Sequence, residues 1–456
     1  MTRCRCFTII LCVCCLFGFA QQEDSIMIRK IADEILSNGK AYEDLRLLCK
    51  TVGARLAGSP QMYKAESWAQ ETLQRAGVDK VWLQECPVPR WTRGGKDEAY
   101  ISIQSKRQSL DILSLGNSIG TDPGGLTAPV IVVNSFDELG QRKNEVRGKI
   151  VFYNYKFDPR YIRTFASYSQ AVKYRADGAS KAAQHGAVAA LIRSMTHAED
   201  NNPHTGAMTY NDSFPRIPTA AVGLKDSDML IDILAKNKAA LVFIKTNART
   251  LPDTIGHNVI GELRGSEFPD EIITIGGHLD SWDAGEGAHD DGSGCVQSIE
   301  VLRVLKAIGY KPRRTIRAVL FADEENGLGG GTKYADDAKA KNEKHYFALE
   351  SDAGGFTPRG FGFTIAVEKM QRIRQWLPLF VPYGVYQFNA GGGGADIEPL
   401  NTAFGTPVAG LQPDSQRYFD IHHARSDVFE AVNKRELELG AVNMAALIYM
   451  VDKYGL

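Results

Sequence analysis

Five groups of acidic and imidazole side chains recur along the C-terminal half of the chain: His278 with Asp280, Asp290 with Asp291, Glu324 with Glu325, Asp352, and His422 with His423. Carboxylates and imidazoles without cysteine form a nitrogen–oxygen donor set that suits Zn²⁺, with Mn²⁺ or Co²⁺ as alternatives. So many carboxylates gathered at one place would repel one another unless a cation lay among them. Two divalent ions sharing a carboxylate would remove that repulsion and place two Lewis acids ~3.5–4 Å apart around one water. A further carboxylate that is not a ligand could then accept the proton of that water and hand it to a leaving amine.

Taken singly, these residues have plainer explanations. A Glu-Glu pair after a strand is usually a helix start, where acids favour the helix dipole. Asp-Asp-Gly is more often a turn and cap, and His-x-Asp alone is weak. Their placement in the chain is what joins them. From Asn258 the pattern alternates regularly: strands at 272–277, 315–322 and 346–350, helices at 293–308 and 328–340. Strands alternating with helices of this length predict a mostly parallel sheet covered on both faces. Such sheets bind ligands beyond the carboxyl ends of their strands. His278 and Asp280 follow the first strand, Glu324 and Glu325 the second, and Asp352 the third. Asp290 and Asp291 precede the first helix, and the two histidines stand in a late loop. All of them can therefore reach one rim.

The rest of the chain frames this core. Helical spacing is expected at 26–36 and 42–49, with a third helix starting at Ser59-Pro60, where serine can cap and proline suits the first turn. Between about 128 and 246, short β-rich runs alternate with short helices and contain no cluster of metal-ligand types, which marks a separate lobe. The 456 residues exceed what one ordinary core organises, so two folded units are expected. Lys and Arg (53) balance Asp and Glu (54), which argues against nucleic-acid or membrane-surface partners. Arg3 and Arg5, an apolar run from Phe7 to Phe19, and small Gly18 and Ala20 read as a secretory signal peptide cut after Ala20. Removing it leaves Cys49, Cys86 and Cys295, which cannot all pair within one chain. A Cys49–Cys86 disulfide stays open, and Cys295 is expected as a buried thiol. Asn211-Asp212-Ser213 is a glycosylation sequon in a polar stretch.

Gly277-His278-Leu279-Asp280-Ser281, Asp290-Asp291-Gly292-Ser293-Gly294, Glu324-Glu325, Glu350-Ser351-Asp352 and His423 with Asp427 resemble the motifs of the M28 family of zinc peptidases, in family order. Gly53-Ala54-Arg55-Leu56-Ala57-Gly58-Ser59 is similar to an early family element, and the resemblance covers nearly the whole mature chain. It implies an α/β zinc exopeptidase fold: a mixed, mostly parallel sheet with helices on both faces, plus an inserted lobe similar to a protease-associated domain. The corresponding division is residues 1–20 signal peptide, 21–124 N-terminal part of the peptidase domain, 125–247 insert, and 248–456 catalytic core.

The same resemblance implies two zinc ions per chain. His278 and Asp352 would hold one, Glu325 and His423 the other, and Asp290 would bridge them. Glu324 would be the general base. Asp280 would accept a hydrogen bond from His278 and fix its tautomer, and Asp427 would orient the late loop. The peptide between Asp290 and Asp291 would be cis. Ala424 stands where the family has Ser or Thr after the last histidine, which leaves the choice between His422 and His423 less secure. The spacing to Asp427 favours His423.

The expected partner is a peptide with free ends, a short peptide or dipeptide, cleaved in carboxypeptidase, dipeptidase or aminopeptidase fashion. A homodimer and either secretion or lysosomal delivery are left open. A non-catalytic ectodomain is the rival of a different class, and a single-zinc acyltransferase such as a glutaminyl cyclase is a third. The intact donor set, with Glu325 and Asp290 both present, argues against both. Gly391 to Gly394 would let backbone approach a substrate, and Glu350 could hold a substrate ammonium or be structural.

Overall fold

The computed structural model describes residues 22–104 and 106–456. The leader expected over 1–20 lies outside the described residues. Two mixed eight-stranded sheets organise the chain. Strand β1 is Lys80–Thr92, β2 Glu98–Ile103, β3 Lys106–Leu110, β4 Ile112–Ser114, β5 Leu126–Val133, β6 Ile150–Tyr153, β7 Ala189–Arg193 and β8 Thr219–Val222. Strand β9 is Leu241–Lys245, β10 Arg249–Leu263, β11 Phe268–His278, β12 Arg314–Phe321, β13 Lys344–Glu350, β14 Pro358–Thr364, β15 Gln387–Ala390 and β16 Val408–Pro413.

The first sheet runs β1-β10-β12-β11-β13-β16-β14-β15. Its centre, β12-β11-β13-β16, is parallel, while β10 and β14 pair antiparallel at its flanks. The parallel centre is the sheet that the alternation predicted, and the antiparallel flanks make it the mixed sheet that the family resemblance implied. Every residue of β12 is buried, as expected of a strand covered on both faces. Ala318 and Leu320 join the core under the helices Ser293–Ala307 and Lys434–Tyr454, while Val319 and Phe321 join that under the helix Gly329–Ala340. The register sets His278 opposite Phe321 and Gly276 opposite Glu350, so the central strands end nearly level. Their following loops leave from one rim.

The second sheet runs β3-β2-β9-β5-β6-β7-β8-β4, with β5 to β8 parallel. It starts upstream of residue 125: β2 pairs with β9, setting Glu98 opposite Lys245, and β4 pairs with β8. Residues 99–103 carry strand propensity, but a partner more than 100 residues away leaves no local trace. The chain leaves the first sheet at Thr92 and rejoins it at Arg249, which face each other across the β1–β10 ladder. Ser59 caps the helix Pro60–Arg75 as its sequence predicts, its side chain accepting from Met62 N at 3.1 Å. Asn211 is exposed. No described helix is long and apolar enough to cross a membrane.

Cys49, Cys86 and Cys295 are all buried free thiols, so the Cys49–Cys86 pairing does not form. Burial pushes the Cys49 and Cys86 thiols up to about 12. A chain lacking residues 1–20 is therefore expected to show three titratable thiols when unfolded without reductant, and none that reacts rapidly when folded. A count of one in the unfolded, unreduced sample would mean that Cys49 and Cys86 are joined after all.

Candidate active site

β11 ends at His278, whose ring is buried. Its Nδ1 lies 3.0 Å from the carbonyl oxygen of Asp280. A carbonyl only accepts, so Nδ1 carries the hydrogen and Nε2 is turned toward Asp290 Oδ1 at 3.2 Å and Asp352 Oδ1 at 3.5 Å. The Asp280 carboxylate stands farther from Nδ1, at 3.6 Å, and accepts from the backbone N–H groups of Glu324 (3.0 Å) and Glu325 (3.3 Å). Asp280 thus touches His278 chiefly through its backbone, while its side chain ties the turn after β12 to the loop after β11.

The peptide between Asp290 and Asp291 is cis. The two oxygens of Asp290 face different partners: Oδ1 faces His278, and Oδ2 lies 3.2 Å from His423 Nε2. His423 Nε2 is also 3.1 Å from Glu325 Oε2. His422 Nε2 is farther from Asp290, at 3.7 Å, and its ring stacks on His423 with centroids 3.6 Å apart. Among the described residues only His423 of the pair contacts both Asp290 and Glu325. Its Nδ1 is 3.2 Å from the carbonyl oxygen of Thr205, which orients the ring as Asp280 orients His278.

Charge explains the proton positions. Burial alone would lower both histidines, but Asp280, Asp290 and Asp352 raise His278 well above its usual range, and Glu325 and Asp290 raise His423 to about 10. Burial would raise Asp290, yet the two imidazoles hold it well below the ordinary carboxylate range. Burial raises Glu324 well above that range, with Asp352 and Glu325 adding to the shift, and Glu325 rises through burial and Asp290.

The donor set fits a divalent cation. Facing donor atoms lie 3.1–3.5 Å apart. Two nitrogen or oxygen ligands each ~2.0–2.1 Å from one tetrahedral ion would lie roughly 3.3 Å apart. Glu325 Oε1 is buried with no hydrogen-bond partner, a costly state that a cation would relieve. Glu324 is half-buried and faces the cleft of about 450 Å³ in front of the cluster.

The surrounding loops are held by contacts that motif reading missed. Arg55, fully buried, donates through Nε to the carbonyl of Leu279, and through its two terminal nitrogens to those of Glu286 (2.7 Å) and Gly287 (2.9 Å). Its signal was the Gly53–Ser59 element. The Asp427 carboxylate accepts from the backbone N–H groups of His289 (2.8 Å) and Asp290 (3.2 Å), so it orients the Asp290 turn rather than its own loop. Asp291 accepts from His278 N and Gly294 N. A Cβ on Gly277 would sit 2.2 Å from Asp291 Oδ2, and one on Gly294 would sit 1.8 Å from the Ser351 carbonyl oxygen. Only glycines allow this strand end and helix start to approach so closely. His289 stacks on Phe356 and its Nδ1 accepts from Gly355 N, a structural role. Thr205 acts through a backbone oxygen, which no residue type announces.

A mixed α/β sheet with this site at its carboxyl rim defines a metallopeptidase. Residues 258–448 match the family described as Peptidase family M28. The chain is 38% identical to carboxypeptidase Q of Mus musculus over 90% of its length and 85% of that protein, and 38% identical to that of Homo sapiens over 91% and 86%. The solved structure of a peptidase M28 precursor from Shewanella amazonensis SB2B superposes with a TM-score of 0.90 at 33% identity, covering 96% of this chain and 98% of that one. A zinc aminopeptidase from Bacillus subtilis shares the fold, with a TM-score of 0.64 at 20% identity over 91% and 95%. The chain belongs to peptidase family M28.

In the ion-free protein the raised carboxyls favour their acid forms, with Asp427 moved by burial to about 7, and His423 favours its charged form. Both contributions are present at low pH and fade as pH climbs through the raised values. Thermal stability of chelator-treated protein is expected to fall from about pH 6.5 to about pH 8, above the range in which His204 and His289, held by burial at about 4, oppose the trend. Added zinc should restore it, with the larger gain at the higher pH. A calorimetric gain that shrinks as pH rises would contradict this account.

Proposed function

We propose that this chain is a di-zinc exopeptidase that hydrolyses short peptides with free termini, dipeptides among them. The observation that carries this reading is the division of Asp290: one oxygen faces His278 and the other His423. His278 and Asp352 would hold one ion, Glu325 and His423 the other, with Asp290 between them. Zinc held there supplies Lewis-acid polarisation of the scissile carbonyl and makes water more acidic.

Glu324 stands outside both donor groups and faces the cleft. A carboxylate placed there can take the proton of the attacking water and then release it to the leaving amine. Hydrolysis adds that water across the amide: the hydroxyl joins the acyl carbon, and the proton passes through Glu324 to the nitrogen. The Asp280 carboxylate accepts from the Glu324 and Glu325 amides and fixes the turn that carries both side chains. The unit from β2 to β9 is read as the inserted protease-associated-like lobe, and the first twenty residues as the signal for secretion, with lysosomal delivery as the alternative destination. Resemblance to carboxypeptidase Q favours dipeptidase or carboxypeptidase action. Aminopeptidase action is the second reading, favoured by a 26% identical aminopeptidase of Bacillus subtilis matched over 67% of this chain and 59% of that one.

Replacing Glu324 by Gln keeps the shape and removes the base. Turnover is expected to fall at least ~10²-fold with zinc content unchanged. Glu325→Gln is expected to lose zinc first and to recover part of its activity when zinc is added. Native mass spectrometry alongside turnover decides the matter, since full activity in Glu324→Gln at full metal loading would remove the mechanism. Comparison of free dipeptides with N-blocked and C-blocked versions assigns the peptide end that is read. A free carboxyl terminus is expected to be required, and cleavage of free and C-blocked peptides but not N-blocked ones would favour the aminopeptidase reading.

A further inference from the structure

Beside the donor cluster lies a second, much smaller cavity of about 10 Å³, the size of a single water site. Asp290, Glu325 and His423 line it, together with Asp427, Ala424 and Trp282. Trp282 stands four residues beyond the end of β11 and is 3% exposed. Packing fixes its ring. Trp91 meets it edge-on at 6.2 Å and His423 lies 5.7 Å away, centroid to centroid. A Cβ at Gly116, in the second-sheet unit, would overlap its outer edge. Trp91 donates its own indole N–H to the Ser118 carbonyl at 2.8 Å. Trp282 Nε1 is buried and has no acceptor among the described residues.

An indole N–H can only donate, and leaving it buried and unpaired is costly. Glu325 Oε1 has the opposite need: it is buried, accepts as a carboxylate oxygen, and has no donor among the described residues. A cation could reach Oε1, but Oε2 is the oxygen turned to His423 in the donor cluster. The other side chains of the cavity offer no rival donor. Asp290 and Asp427 are carboxylates, and His423 turns Nε2 to the cluster and Nδ1 to the Thr205 carbonyl. Ala424 presents only a methyl group, where related peptidases carry the hydroxyl of Ser or Thr.

We infer that Trp282 is a positioning residue for the second metal site: through the one water this cavity admits, its indole N–H holds Glu325 Oε1 and leaves Oε2 to the ion. The indole thereby takes the part of the hydroxyl missing at Ala424. A contact of this kind behind a ligand orients the carboxylate and keeps one oxygen on the metal. The inference rests on the di-zinc reading, and the test separates the two. Zinc release to a chelator, followed by native mass spectrometry, is compared for the zinc-loaded parent and for a form with benzothienylalanine at position 282. That residue is a tryptophan isostere with sulfur in place of the N–H.

Both forms are expected to carry two ions. The isostere should release one of them about 10- to 100-fold faster than the parent, the range for losing a contact behind a metal ligand, and the other at the parent rate. Cobalt placed in the faster site should show shifted visible absorption, which reports a changed ligand arrangement. Trp282→Phe should also release that ion faster. Adding Ala424→Ser to Trp282→Phe should slow release again, because a hydroxyl restores the donor without restoring the ring. Equal release from parent and isostere, with two ions in each, would overturn the inference and leave the di-zinc reading intact. Faster loss of both ions together would also overturn it, assigning Trp282 to packing alone. A parent that takes up only one ion would remove the di-zinc reading itself, and the inference with it.

Discussion

Asp290 is shared between two imidazoles, and the rest of the catalytic rim is built to keep it so. Oxygen Oδ1 meets His278 and Oδ2 meets His423, residues that come from opposite ends of the catalytic half of the chain. A carboxylate removed from water is stable only when its surroundings repay the lost hydration. Here Asp427 takes the backbone N–H groups of His289 and Asp290, and Arg55 takes three carbonyls of the neighbouring loops. Gly277 and Gly294 let strand and helix close to within backbone contact. If any of these supports shifted, the two oxygens would no longer face two sites.

The rim combines this rigidity with an excess of negative charge. Burial raises Glu324, Glu325 and Asp352, with Asp352 and Glu325 adding to the shift of Glu324 and Asp290 adding to those of Glu325 and Asp352. That pattern describes a site organised around cations, in which protons stand in for part of the missing positive charge. It also separates two adjacent glutamates by environment. Glu325 is directed into the donor cluster, while Glu324 keeps one side toward the cleft. Asp280 holds the amides of both, fixing the short helical turn that carries them.

The second-sheet unit is part of the site, though it supplies none of the donors. The Thr205 carbonyl orients His423, and the His204 ring reaches the His422 carbonyl oxygen at 2.7 Å. Ala424, where a hydroxyl residue was expected, leaves the late loop without one polar support. The contacts from residues 204 and 205 hold that loop from the other side. The cleft therefore has one wall that carries the donor cluster and another that presents Arg175, Tyr168 and Asn117.

Much of this was legible in the sequence. The alternation after Asn258 specified the parallel centre of the first sheet, because strand and helix periods are local properties of consecutive residues. The order of the acidic and histidine groups relative to strand ends specified one rim, because a parallel sheet sends all such loops to the same side. What folding alone decided were pairings between distant segments. Residues 99–103 carry strand propensity but joined the second sheet, since β9 lies more than 100 residues away. The side chain of Asp280 turned to two backbone amides, and its carbonyl took the role assigned to its carboxylate. Thr205 entered the site through a carbonyl oxygen that every residue possesses. Residue types announce side-chain chemistry, but backbone groups are identical along the chain, so only the folded arrangement can show which of them matter.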